Sequence, residues 1–168
     1  FINFCDAYDI PVLSLTNVKG YAADVRSEKS IAKAVAKLTY AFANANVPKV
    51  NVITGEAYGS AYVTMNSKAL GADVTYAWPD ASIGMMDANE AAKIMYADDI
   101  AKSADVQSVI SEKAAEYAAL QSGVESAAAR GYVDTIINPE DTRKYVAAAF
   151  EMLYTKREDR PDKKHGTV

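Results

Sequence analysis

The 168 residues include one cysteine and one histidine. A lone Cys5 excludes a disulfide within the chain and any thiolate metal site assembled from the chain alone. A lone histidine excludes a His cluster, and His165, in a charged tail, reads as a solvated residue and argues against a serine triad. Apolar runs are strand-sized, far short of the roughly 20 residues a spanning helix needs. A basic surplus is also missing: 18 Lys and Arg face 22 Asp and Glu, for a net charge of -4 and a pI near 5.0. Such a balance argues against a nucleic-acid partner. Together these absences point to a reducing, cytoplasmic setting and to chemistry that does not lean on a metal or a thiolate.

Half of the residues are hydrophobic, enough for one α/β core and too few for two. The opening "FINFCDAYDI" has no Met and no basic-then-apolar leader. It reads as the end of a helix entering a buried strand, with Cys5 in the core, and suggests a piece of a longer polypeptide. "PVLSLT" (11–16) is a strand and "NVKGYAADVRSEKS" a loop. Ile31, Val35, Leu38 and Phe42 place one apolar stripe on a helix over 30–46, which Pro48 stops. "KVNVIT" is the next strand, broken by Gly55. A helix over 60–70 follows, with Gly71 as its cap.

"DVTYAW" and "ASIGMM" are further strands. Helices are expected over 89–99, 105–122 and 124–131, then an extended "YVDTIINP", a final helix over 140–154 and a charged surface tail. Asp87, Glu90, Asp98 and Asp99 have no histidine at ligand spacing and read as a solvated face.

The junction "GEAYGSAY" (55–62) carries the chemical signal. A strand feeding a helix through small residues leaves first-turn N–H groups without carbonyl partners. Those donors, with the helix dipole, suit a developing oxyanion. Close packing of helix on sheet accounts equally well for Gly55, Gly59, Ser60 and Ala61. The GK[ST] ending of a Walker loop and the third glycine of a dinucleotide fingerprint are both absent. Tyr62 stands where a serine nucleophile elbow needs glycine.

Four stretches, "FCDAYDIPVLSL", "KLTYAFANANVPKVNVITGEAYGSAYVTMNSKALGADVTYAWP", "AAARGYVDTIINPEDTR" and "RPDKKHG", run in one order over nearly the whole chain. In them the sequence resembles the C-terminal half of the biotin-dependent carboxyltransferases, the acyl-CoA carboxylase β subunits and acyl-CoA decarboxylase subunits of the crotonase superfamily. The resemblance implies a crotonase-like α/β fold of the ββα type with C-terminal helices. Residues 1–168 would then be the carboxyltransferase C-terminal domain, the biotin-side half, with the N-terminal domain lying elsewhere in the full-length chain.

It also implies carboxyl transfer between carboxybiotin on a carrier protein and a short-chain acyl-CoA, with no metal in this domain. The family's "YGGAY" turn falls on Tyr58, Gly59, Ser60, Ala61 and Tyr62. The backbone N–H groups of Ser60 and Ala61 would form the oxyanion hole for the biotin ureido oxygen. Tyr58, Gly59, Gly20 and Tyr62 would complete the cofactor pocket, and Val63 would tune acyl choice. In that scheme the biotin anion left by CO2 takes the thioester α-proton, so no side-chain base is required.

The implied partners are a biotin carboxyl carrier protein, biotin carboxylase or decarboxylase-pump subunits, and further copies of the full-length chain. A decarboxylase pump would place the protein at a membrane surface. Three departures from the family pattern bear on the substrate. Lys19-Gly20 replaces Pro-Gly, Ser60 replaces the second glycine of the turn, and "MDANEA" (86–91) replaces a glycine-rich stretch, bringing in Asp87 and Glu90. A crotonase-like hydratase or isomerase and a non-catalytic assembly module are the competing readings. A hydratase wants paired glutamates, where the junction offers only Glu56. A module would use helices such as 106–120 to pack on a partner.

Overall fold

The computed structural model describes residues 1–103 and 105–159. The elements run α1 (Ile2–Ala7), β1 (Val12–Val18), α2 (Val25–Glu28), α3 (Ile31–Asn44), β2 (Lys49–Tyr58), α4 (Gly59–Thr64), β3 (Val74–Ala77) and β4 (Ser82–Gly84). There follow α5 (Ala88–Met95), α6 (Ala97–Lys102), α7 (Val106–Tyr117), α8 (Val124–Ala129), β5 (Thr135–Ile136) and α9 (Thr142–Met152). His165 and most of the charged tail lie outside the described residues.

All named strand pairs are parallel, in the order β1–β2–β3–β5, with β4 also on β2. Parallel strands are covered on both faces and read as continuous apolar runs, and Val50, Val52 and Ile53 of β2 are fully buried. The long strand β2 divides its partners. Val50–Ile53 pair with β3, whereas Glu56–Tyr58 pair with β4. One core cluster gathers Ile53, Ala57, Tyr62, Ile83, Val124 and Val133 around this change of partner. A second packs Val50, Val52 and Tyr76 on Val146 and Ala149 of α9, and a third joins Cys5 and Val12 to Phe42 of α3.

The structure corrects the expectation that Gly55 ends the strand: β2 continues three residues further, to Tyr58. Between the pairs Thr16↔Ile53 and Val18↔Ala57 the ladder is irregular, so Thr54, Gly55 and Glu56 oppose Asn17 alone. Asn17 Oδ1 accepts the Glu56 N–H at 3.0 Å. A Cβ on residue 55 would stand 2.8 Å from that oxygen. The glycine therefore admits a side chain from the neighbouring strand, as at other strand glycines that mark a bulge or close approach.

Helix 60–70 is also shorter than expected, ending at Thr64. The Thr64 hydroxyl reaches back to the carbonyls of Ser60 at 3.1 Å and Ala61 at 3.0 Å, and Ser67 Oγ donates to Val63 O at 2.9 Å. Hydroxyls competing for backbone in this way favour helix ends. Asn66 takes a positive φ of 57°, and a single 3-10 turn then leads to Gly71 at φ 101°. Beneath this segment lies a buried polar row in which Thr16 Oγ1 donates to Asn51 Oδ1 at 2.7 Å.

The remaining differences are local. The stretch read as a loop contains α2, capped by Asp24, whose carboxylate accepts the N–H groups of Arg26 and Ser27. The helix over 89–99 divides at Tyr96, and the one over 105–122 loosens into a π turn at Ala118–Ser122. Only Thr135–Ile136 of "YVDTIINP" is strand. The tail's first residues are anchored: Lys156 Nζ meets the Asp73 carboxylate at 2.9 Å, and Asp73 in turn accepts the Lys49 N–H. No described helix is long and apolar enough to cross a membrane.

Gly55→Ala should lower stability by about 1 kcal/mol, since the new methyl displaces Asn17 from the Glu56 amide. In an Asn17→Ala background the same substitution should cost much less. A double-mutant cycle by urea unfolding measures the coupling, and strictly additive losses would refute this account of the bulge.

Candidate functional site

The strand-to-helix junction is held by a single glycine conformation. Gly59 has φ +60°, and a Cβ there would lie 3.0 Å from the carbonyl oxygen of Met85, just beyond β4. Glycine adopts that backbone region at little cost and lets another chain segment approach closely. The pairing of β4 on the last residues of β2 brings Met85 to this point. Tyr58 is the N-cap of α4 and gives its first turn no side-chain hydrogen bond. Its hydroxyl is committed elsewhere, donating to Ser82 Oγ at 2.7 Å. The opening amides of α4, at Gly59, Ser60 and Ala61, belong to the first helical turn, whose N–H groups have no intrahelical carbonyl to donate to.

A cavity of about 470 Å³ opens beside this turn, a size usual for small-ligand sites. Its wall includes Gly59, Ser60, Tyr62, Val63, Met85 and Arg130. Of the expected site residues, Gly59, Ser60, Tyr62 and Val63 therefore share one cavity. Ala61 stands behind it, almost wholly buried, and Tyr58 serves the sheet edge through Ser82. Gly20 does not line the cavity and has open space around it. It stands between two residues that grip the junction. Lys19 Nζ pairs with Glu56 at 3.0 Å, and the Tyr21 hydroxyl lies 2.9 Å from Thr64 Oγ1 and 3.2 Å from the Ser60 carbonyl.

The electrostatics follow from these contacts. The Glu56 hydrogen bond, and then its charge, hold the Lys19 ammonium above the ordinary lysine pKa. Burial, reinforced by Tyr132, pushes the Tyr62 phenol up to about 12, and its hydroxyl has no hydrogen-bond partner among the described residues. Asp87 accepts the Asn89 N–H as the N-cap of α5, and Glu90 pairs with Lys93 at 2.8 Å. Neither acid lines the cavity, so the two departures from the glycine-rich pattern act at the helix surface. Among the described residues no group of His, Cys, Asp and Glu is arranged to hold a metal.

Gln121, Arg130 and Tyr132 also line the cavity, and none of them was singled out from the sequence. They come from the π turn after α7 and from the end of α8, more than fifty residues from the junction. The only available signal was that "AAARGYVD" belongs to the stretches carrying the resemblance.

The carboxyl transferase domain family matches residues 1–168. The chain is 49% identical to a putative propionyl-CoA carboxylase beta chain of Bacillus subtilis (strain 168), aligned over all of this chain and 33% of that protein. It is 43% identical to a methylmalonyl-CoA decarboxylase subunit alpha of Propionigenium modestum, over all of this chain and 33% of the relative. A crystal structure of the transcarboxylase 12S hexamer, with methylmalonyl-coenzyme A and methylmalonic acid bound, superposes with a TM-score of 0.93 at 43% identity. That match covers 98% of this chain and 32% of the solved one. The chain thus spans about a third of the length of the relatives it matches, and the crotonase-like α/β fold expected of it is the fold these structures share.

Gly59→Ala should destabilise the fold by about 1–3 kcal/mol through the left-handed backbone and the Met85 contact. Gly20→Ala, with nothing near it, should stay within about 0.5 kcal/mol of the parent; equal losses in urea melts would contradict the assignment of strain to Gly59. Tyr62 yields a pH test. The unfolded chain releases this proton near pH 10 and the folded chain near pH 12, so above pH 10 the unfolded state binds fewer protons and stability falls as pH rises through that window. Tyr62→Phe should match or slightly exceed the parent at pH 7 and gain on it at pH 11. A variant less stable at both values would show that the hydroxyl has a partner.

Proposed function

This chain belongs to the carboxyl transferase family, and on that premise we propose that it is the biotin-side domain of a biotin-dependent acyl-CoA carboxyltransferase. Its half-reaction moves a carboxyl group between carboxybiotin on a carrier protein and a short-chain acyl-CoA of the acetyl/malonyl or propionyl/methylmalonyl type. The relatives' names support both directions, since one is called a carboxylase chain and another a decarboxylase subunit. Flux in either direction would be set by partner subunits, a biotin carboxylase or a decarboxylase pump. The hexamer named for the transcarboxylase structure supports a homo-oligomer of the full-length chain.

The observation that carries this reading is the first turn of α4, which has no side-chain cap and opens on a cavity with no carboxylate in its described wall. When bound, carboxybiotin supplies a carboxyl group on a ureido nitrogen, and the adjoining ureido oxygen gains negative charge as that carboxyl departs. The N–H groups of Ser60 and Ala61 would donate to this oxygen. Being main-chain donors fixed by the Gly59 turn, they need no reorganisation when the charge develops. Ser60 can replace glycine because its backbone supplies the donor. Val63, exposed on the same wall, would touch the acyl group.

The size of the cavity, its glycine cradle and the uncapped first turn of α4 support a site for the ring of biotin. A hydratase reading is weaker on the same observation. Glu56 is tied to Lys19 and lies off the cavity wall, and among the described residues no carboxylate lines the cavity to activate water.

The test uses the full-length protein: decarboxylation of malonyl-CoA and methylmalonyl-CoA with free biotin, with and without a carrier protein. Biotin-dependent loss of CO2 is expected, and its rates rank the substrates. Ser60→Pro removes one donor at a helix position where proline is tolerated, and should lower transfer by roughly 10²–10³ while thioester binding holds. A folded protein that turns over no acyl-CoA would favour a pure assembly role instead.

A further inference from the structure

Two hydroxyls converge on one peptide unit of α4. Tyr21, in the loop between β1 and α2, brings its hydroxyl to 3.2 Å from the Ser60 carbonyl oxygen and 2.9 Å from Thr64 Oγ1. Thr64, a buried residue one turn further along α4, holds that same Oγ1 3.1 Å from the Ser60 carbonyl oxygen and 3.0 Å from that of Ala61. Each hydroxyl can therefore donate to Ser60 O, one from the loop and one from within the helix. Tyr21 does not line the cavity. Its hydroxyl meets α4 from behind, on the carbonyl side of the first turn.

The Ser60 carbonyl and the Ala61 N–H are the two ends of one planar peptide unit. A donor on the oxygen draws electron density toward it and leaves the N–H more positive, a cooperative strengthening of about 10–30% per bond. The same donor fixes the tilt of the unit, and with it the direction in which the N–H points. We infer that Tyr21 is a positioning residue for carboxyl transfer: acting with Thr64 through the Ser60 carbonyl, its hydroxyl orients and polarises the peptide that ends in the Ala61 N–H. This rests on the carboxyl-transfer reading and on the role given there to the α4 amides. The loop that carries Gly20 then serves the site from behind the turn, which accounts for Gly20 standing off the cavity wall.

Two considerations set the size and sign of the effect. Removing a main-chain oxyanion donor outright costs on the order of 10²–10³ in rate. Tyr21 acts one bond further out, on a donor that stays in place, so its loss is smaller, roughly three- to tenfold. A more positive N–H gains most against an oxygen that has become negative and little against the neutral ureido oxygen of free biotin. An interaction of that kind appears in kcat and leaves ground-state binding almost untouched.

The experiment compares the full-length parent with Tyr21→Phe, Thr64→Val, the double variant and Lys19→Met. It reads kcat and KM for biotin-dependent decarboxylation of methylmalonyl-CoA, the calorimetric Kd of free biotin, and urea unfolding. Tyr21 is 38% exposed, so its phenylalanine variant loses one hydroxyl and empties no core. It should lower kcat roughly three- to tenfold while thioester KM and biotin Kd each move by less than about twofold. Thr64→Val tests the same carbonyl from the buried side and should lower kcat in the same way. Since both hydroxyls act on one carbonyl, their effects on kcat should not simply multiply in the double variant. Lys19→Met frees the same loop from Glu56 without touching the Ser60 carbonyl, and should lower kcat less than Tyr21→Phe.

A kcat for Tyr21→Phe equal to the parent's, a loss matched by equal weakening of biotin or thioester, or an equal loss in Lys19→Met overturns the role of Tyr21 and leaves carboxyl transfer standing. Strictly multiplicative losses in the double variant overturn the shared carbonyl. A folded parent that decarboxylates nothing overturns both readings.

Discussion

The contact on which the rest depends is the approach of the Met85 carbonyl to Gly59, close enough that an added Cβ would lie 3.0 Å from that oxygen. It is possible because β2 outlasts its pairing with β3 and takes β4 as a second partner over Glu56–Tyr58. The strand that supplies the core of the sheet thereby also delivers the first turn of α4 to the rim of a cavity. Any side chain at position 59 would push these segments apart and move the amides that follow.

Around that junction, side chains that could have neutralised the helix start are committed elsewhere. Tyr58 holds Ser82, Glu56 is tied to Lys19, and Tyr21 grips the carbonyl and hydroxyl side of α4. Gly59 and Ser60 of the first turn line the cavity, whose described lining residues include Arg130 and no Asp or Glu. Preorganised main-chain donors in a largely apolar cavity stabilise a developing anion without a rearrangement cost. On the proposed reading, such donors would let a chain with one histidine and one cysteine contribute to group transfer without a side-chain base.

Much of the architecture was legible in local patterns. The apolar stripe of α3, the buried run of β2 and the cap at Gly71 each reflect a period or a backbone preference that a short window contains. The errors share one origin. Gly55 looked like a break because a window cannot show that Asn17 of another strand fills the space beside it. Helix 60–70 looked continuous because the back-bonding of Thr64 and Ser67 and the polar row beneath them arise only on the folded sheet.

The sequence by itself determined the α/β class and a strand that feeds a helix through small residues between Gly55 and Ala61, though not where either element ends, because each depends on neighbours a few positions apart. With a single cysteine it also excluded a disulfide within the chain and a thiolate metal site assembled from this chain alone. Only the tertiary structure decided which of Tyr58, Gly59, Ser60, Ala61, Tyr62 and Val63 face a common cavity, and that Arg130 and Tyr132 join them from the far end of the chain. The physical reason is range: backbone preferences act within a turn, whereas a cavity and its charge are made by segments that meet only when the sheet and the C-terminal helices have packed.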